Sequence, residues 1–185
     1  MRLSPRFCVA DWNALEFAAE EDWQKAVDIV EDRIEGRFVR WIDRLIGSEF
    51  AGFACLSLDC LLIETLYGFQ NGAATRNTPA VYKSMLTAAP FSFDDALAEA
   101  FYDCVRNGII HDTETRRGWL IRMTPQTRVI EKDSDGNHSV NRTMFHEAVK
   151  AAFTGWIAKV RAGDPVLRDK MRQRMDEIIR NHYAS

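Results

Sequence analysis

A chain of 185 residues, 46% hydrophobic with five Trp and eleven Phe, can bury a substantial core in one domain without covalent staples. Its net charge of −3 argues against a protein that coats nucleic acid through a uniformly basic surface. The four cysteines (Cys8, Cys55, Cys60, Cys104) have neither metal-ligand spacing nor the look of a secreted disulfide framework, and three lie in apolar helical stretches where a free thiol acts as a small hydrophobe.

After a short lead containing Pro5, apolar residues at Ala26, Ile29, Val30, Ile34, Phe38, Trp41, Ile42 and Leu45 recur at threes and fours. They predict a helix from about Asp11 or Asp22 to Ile46, stopped by Gly47. Ser48 is placed to cap the next helix, Glu49 to Phe69, which is apolar nearly all round and so reads as a central element. Its length suits a membrane span, but Asp59 and Glu64 make insertion costly, and a buried core helix is the better reading. With no signal-peptide run, the expectation is a soluble, reduced, cytoplasmic protein with no membrane association.

Asn71-Gly72 ends that helix. Thr78-Pro79 opens a short one running to about Ala88, and Pro90 interrupts. Ser92-Phe-Asp-Asp95 reads as an N-terminal capping signal for a helix with Leu97, Phe101, Cys104 and Val105 on one side. Beyond His111 the periodicity changes. Gly118 to Met123, Arg128 to Glu131 and Ser139 to Asn141 are short β-leaning runs, with Asp133-Ser-Asp-Gly-Asn137 as a turn. A small two- or three-stranded hairpin inserted at about 118–142 is expected. Helices from about Thr143 to Ala162 and from Asp164-Pro165 to Tyr183 close the chain. The fold class is mainly α, an up-and-down helical bundle with a small β-hairpin insertion, in one domain over 1–185.

Chemistry concentrates in Phe101-Tyr-Asp-Cys-Val-Arg-Asn-Gly-Ile-Ile-His111-Asp. Arg106 supplies a fixed cation, Asn107 an amide and His111 an imidazole that titrates near neutrality, a set able to hold a phosphodiester and move its protons. Eighteen arginines and four histidines would give about 0.4 Arg-x4-His pairs by chance, so the spacing alone carries little weight. The context adds weight: Asn107 follows the arginine, and a capped amphipathic helix leads into the motif.

Arg106-Asn107-Gly-Ile-Ile-His111, followed by "DTET" and "GW", resembles the Arg-(polar)-x-x-x-His pattern of the HEPN superfamily, over about residues 100–119. The resemblance implies a compact helical domain, commonly dimeric, and a metal-independent ribonuclease of the kind found in toxin–antitoxin, abortive-infection and CRISPR systems. Arg106 would then stabilise the transition-state phosphate, His111 move protons and Asn107 position. No cofactor and no metal are implied. RNA would be the substrate, with an antitoxin or another defence-system protein as a further partner. The β insertion departs from the minimal HEPN core.

Residues five apart on an ideal helix point about 140° apart. One copy therefore converges Arg106 and His111 only if Gly108 loosens the helix, whereas a homodimer supplies the missing groups across a two-fold cleft. A structural alternative stays open, with Arg106 paired to a core acid such as Asp59 or Glu64 and His111 bonded to backbone at the helix end. Asp59 and Glu64 read either as partners orienting the motif or as members of interhelical ion pairs. Arg116, Arg117, Arg122 and Arg128, with no acid among them, form a candidate patch for an RNA backbone, Arg116 and Arg117 being the candidate substrate contacts. Asp133–Asn137 resembles a calcium loop but lacks its full spacing, so a turn is expected. His138 and His146, eight apart, suggest no metal site, and His182 lies in a tail expected to fray.

Overall fold

The computed structural model describes residues 1–75 and 78–182. It is mainly helical, with one small three-stranded sheet. The described residues fall into two compact units, one of residues 1–41, 66–75 and 153–182, the other of residues 42–65 and 78–152.

In the first unit, a short helix α1 (Val9–Asn13) precedes α2 (Glu20–Ile34), whose first turn holds Glu20, Glu21 and Asp22, favourably placed toward the helix N-terminus. The long helix expected to reach Ile46 is helical throughout from Glu20, but it widens to a π-helical turn at Glu35–Val39 before α3 (Arg40–Leu45). Asp32, buried on α2, binds the N-terminal lead by accepting from Ser4 Oγ at 2.6 Å, Arg6 N at 2.9 Å and Arg6 Nε at 2.8 Å. Three donors on one carboxylate offset the cost of its burial. Phe69, Phe153, Trp156, Met171 and Met175 fill the core with Ile29 and Val30. The last helix, α9, is described over Pro165–His182, so its expected end at Tyr183 lies outside the described residues.

Helix α4 (Gly52–Asn71) starts three residues later than predicted, because Ser48–Ala51 forms a turn in which Ala51 N donates to Ser48 O. It is long and apolar enough to cross a membrane by length and composition, yet 56% of its most apolar window is buried within the protein, as in a core helix. Cys55, Leu56, Asp59, Cys60 and Ile63 are buried in the second unit with residues of α5 (Thr78–Thr87) and α6 (Asp95–Phe101). The capping signal read at Ser92–Asp95 is met by Asp94, whose side chain accepts from Leu97 N at 2.7 Å. Around Phe101 the aromatic rings of Tyr82, Phe93, Trp119 and Phe145 meet at centroid distances of 4.8–6.4 Å.

The β insertion consists of β1 (Leu120–Arg122), β2 (Ile130–Lys132) and β3 (His138–Asn141) in the order β1-β3-β2. β2 and β3 form the expected antiparallel hairpin, and β1 adds a parallel strand on the other side of β3. The hairpin turn is closed by Asp133, whose carboxylate accepts from Asp135 N and Asn137 N at 3.0 and 2.8 Å, the Asx geometry its composition suggested. β3 runs directly into α8 (Arg142–Arg161).

Candidate functional site

The helix carrying the motif is not uniform. After α6 the chain widens into a π-helical turn at Tyr102–Arg106, where Asn107 N donates to Tyr102 O, and then returns to α-helix as α7 (Asn107–Asp112). A π turn pulls carbonyls away from their i+4 donors, and these must find other partners. Arg116 provides them: its backbone N donates to Cys104 O at 2.8 Å and its Nη1 to Asp103 O at 3.3 Å. Its Nε also pairs with Asp112 at 2.5 Å. The loop after the motif is thereby strapped back across the helix that carries it.

Gly108 makes that return possible. Thr113 leaves the helix in a left-handed conformation (φ 57°), and a Cβ on Gly108 would lie 2.4 Å from the Glu114 carbonyl oxygen. Gly108 sits within regular α-helix, so it does not loosen the turn between Arg106 and His111. Its role is close backbone approach. Gly108→Ala should therefore lower stability by about 1–3 kcal/mol despite the better helix propensity of alanine. It should also speed tryptic cleavage after Arg116 and Arg117. Unchanged melting and unchanged proteolysis would refute this account.

Arg106 is half-buried, its side chain 16% exposed. Its Nε and Nη2 donate to Glu64 Oε1 at 3.1 and 3.0 Å, and its Nη1 donates to Asn107 Oδ1 at 3.0 Å. The guanidinium also lies over the Tyr102 ring, 5.7 Å from its centroid. Tyr82 OH donates to Cys60 O at 3.0 Å and reaches Glu64 Oε1 at 3.4 Å. Of the two pairings left open by the sequence, Glu64 holds Arg106 and Asp59 does not. Burial lowers the affinity of Arg106 for its proton, but the charge and hydrogen bonds of Glu64 more than offset this, and its pKa is raised.

His111 stands differently. Its side chain is exposed at the end of α7 and makes no hydrogen bond to any described residue, so the backbone pairing allowed by the sequence is not formed. With α-helix between them, Arg106 and His111 keep the wide angular separation of residues five apart. One chain therefore brings Arg106, Asn107 and Glu64 together, and leaves His111 apart from them. Of the two candidate substrate contacts, Arg116 is engaged in the strap described above, whereas Arg117 is exposed in a left-handed conformation (φ 53°).

No family model, curated protein or solved structure matches the chain.

A second polar cluster lies deeper in the same unit. His146, on α8 and 1% exposed, bonds Asp59 Oδ1 through Nδ1 at 2.8 Å and Asp43 Oδ1 through Nε2 at 3.2 Å. Lys150 Nζ bonds the same Asp43 oxygen at 3.0 Å and Glu147 at 3.1 Å. Burial works against the charged imidazole, but the hydrogen bonds and charges of Asp59 and Asp43 outweigh it and raise the His146 pKa. Burial pushes the Asp59 carboxyl up, against the pull of His146. A bare carboxylate at Asp59 therefore depends on an imidazolium beside it. Sequence reading singled out Asp59 but missed His146. The available signal was positional, since His146 shares a helix face with Val149 and Phe153 at i+3 and i+7. Arg142, one turn earlier, is also buried. Its Nη2 donates to the Ser48 carbonyl and lies against the Met123 sulfur, and its Nε has no partner among the described residues.

Proposed function

We propose that the chain is a HEPN-like, metal-independent endoribonuclease that acts as a homodimer in the cytoplasm, in a defence or toxin-like role. The observation that carries this reading is the division of labour in the motif. Arg106 is fixed by Glu64 and Asn107, while His111 is exposed and makes no hydrogen bond among the described residues. An exposed, unengaged imidazole is free to take the proton of a 2′-hydroxyl or to give one to a leaving 5′-oxygen. A fixed guanidinium offers charge to a phosphate without reorganising. The wide angle between the two side chains favours their meeting across two copies. In that arrangement attack of the 2′-oxygen on phosphorus expels the 5′-oxygen, and each transferred proton passes through a histidine.

Incubating the purified protein with total tRNA and rRNA tests this. Cleavage should persist in EDTA, and His111→Ala should lose about 10²–10⁴-fold in rate with an unchanged circular dichroism spectrum. A His111→Ala protein that cleaves like wild type would sink the assignment, as would light scattering showing a monomer at the assay concentration. A second reading, a non-catalytic HEPN-like module for dimerisation or for binding protein or nucleotide, is favoured by the Arg106–Glu64 ion pair, which offsets the guanidinium charge a phosphate would need. Self-association without cleavage of any RNA would select it.

A further inference from the structure

A cavity of about 770 Å³ opens in the second unit between α6 and the hairpin, and its lining includes neither Arg106 nor His111. Leu97 and Ala100 of α6 and Ile130 of β2 give it an apolar floor. Arg128, Lys132 and His138 also line it. Alternate residues of a strand share a face, so Ile130 and Lys132 of β2 project together, and Arg128, in the bend before β2, lines the same cavity. Lys132 stands directly opposite His138 in the antiparallel register. The His138 ring is held in turn by stacking on Trp119, with centroids 4.7 Å apart and an interplanar angle of 15°.

Hydrogen bonding and ion pairing within the described residues do not account for this grouping. The side chains of Arg128, Lys132 and His138 make no hydrogen bond or ion pair with any described residue. Two acids border the cavity; Asp94 is engaged at a helix cap, and Glu131 feels the Arg128 charge but is bonded chiefly to Thr127. Asp94 accepts from Leu97 N at the α6 cap. Glu131 accepts from Thr127 N, Thr127 Oγ1 and Arg128 N, and these bonds hold its carboxyl below the usual range. Two like charges lining one cavity repel, and an anion between Arg128 and Lys132 removes that cost.

We propose that this cavity binds a small phosphate-bearing ligand with a flat apolar body, the phosphate between Arg128 and Lys132 and the body against Leu97, Ala100 and Ile130. The volume falls within the range of small-molecule sites, which pair an apolar lining with a few polar groups. A nucleoside monophosphate and the phosphorylated end of a short RNA carry the same chemistry. The site stands on its own geometry and makes no use of His111.

Calorimetric titration of the full chain with adenosine 5′-monophosphate, adenosine, inorganic phosphate, and a dinucleotide with or without a 5′-phosphate tests the proposal. Saturable binding of the monophosphate is expected, with adenosine at least about tenfold weaker, the loss of one charge-assisted contact. The Arg128→Ala, Lys132→Ala double variant should weaken binding about tenfold or more at nearly unchanged melting temperature, since both side chains are exposed. His111→Ala should bind as wild type does. Binding of the 5′-phosphorylated dinucleotide in place of the mononucleotide would assign the site to an RNA end. Adenosine binding as tightly as its monophosphate, no saturable binding of any phosphorylated probe, or indifference to the double variant would overturn the proposal. RNA cleavage assays on the same double variant separate this site from the motif.

Discussion

His146→Ala is expected to cost about 3–5 kcal/mol of folding stability, the price of breaking a buried ion pair by removing one partner. Asp59 is fully buried, and its Oδ2 already lacks a hydrogen-bond partner among the described residues. Without the imidazole, Oδ1 loses its bond as well, and the buried carboxylate is left without its counter-charge. The double variant Asp59→Asn, His146→Gln should be more stable than either single change, because neutral amides can bond each other and leave no buried charge. Urea unfolding of the singles and the double gives the coupling directly. Additive losses, or a His146→Ala protein as stable as wild type, would refute the account.

The same pair sets a pH dependence of definite sign. His146 and Asp59 both hold protons more tightly in the folded protein than in the unfolded chain. The stabilisation from His146 is therefore complete below its unfolded pKa of about 6.5 and is lost as pH rises through its higher folded value. The melting temperature of the wild type should fall over that alkaline interval, and the fall attributable to the pair should be missing from the double variant.

The legible parts of the sequence were those governed by local rules. The start of α6 at its Ser92–Asp95 signal, the Asp133 turn and the central apolar character of α4 each follow from a few neighbouring residues, and each forms as expected. What local rules missed was the partnership of residues distant in sequence. Asp59 and His146 lie 87 positions apart, and nothing near either names the other. Arg106 and Glu64 lie 42 apart, so pattern alone left two core acids as equal candidates for the arginine. The parallel pairing of β1 with β3 was hidden for the same reason, since only a hairpin is announced by its turn. At the motif, residue types singled out two side chains that the fold holds as an exposed imidazole and a fixed guanidinium. The π turn and the strap by Arg116 arise from hydrogen bonds that helical periodicity does not encode.

Phe101→Ala should be the other severe change, costing about 3–5 kcal/mol, a large share of the 5–15 kcal/mol typical of a folded domain. The ring is fully buried and stacks on Phe145 at 4.8 Å with an interplanar angle of 17°, while Tyr82 and Trp119 pack at 6.2 Å. Removing it deletes apolar area and leaves a hole walled by rigid aromatic rings, which collapse poorly into the space. Phe101→Leu keeps most of the volume and should retain at least half of the lost stability. The position gives the change a functional meaning. Phe101 is the last residue of α6, and the π turn holding Arg106 begins at the next residue. Trp119, on the far side of the strap, touches the same ring, so one side chain anchors both ends of the segment that presents His111. Near-ultraviolet circular dichroism should lose aromatic intensity in Phe101→Ala, and trypsin should cut after Arg116 and Arg117 at temperatures where the far-ultraviolet spectrum is still native. If the protein melts globally before those bonds become accessible, the segment is held by the whole unit and Phe101 is not its particular anchor.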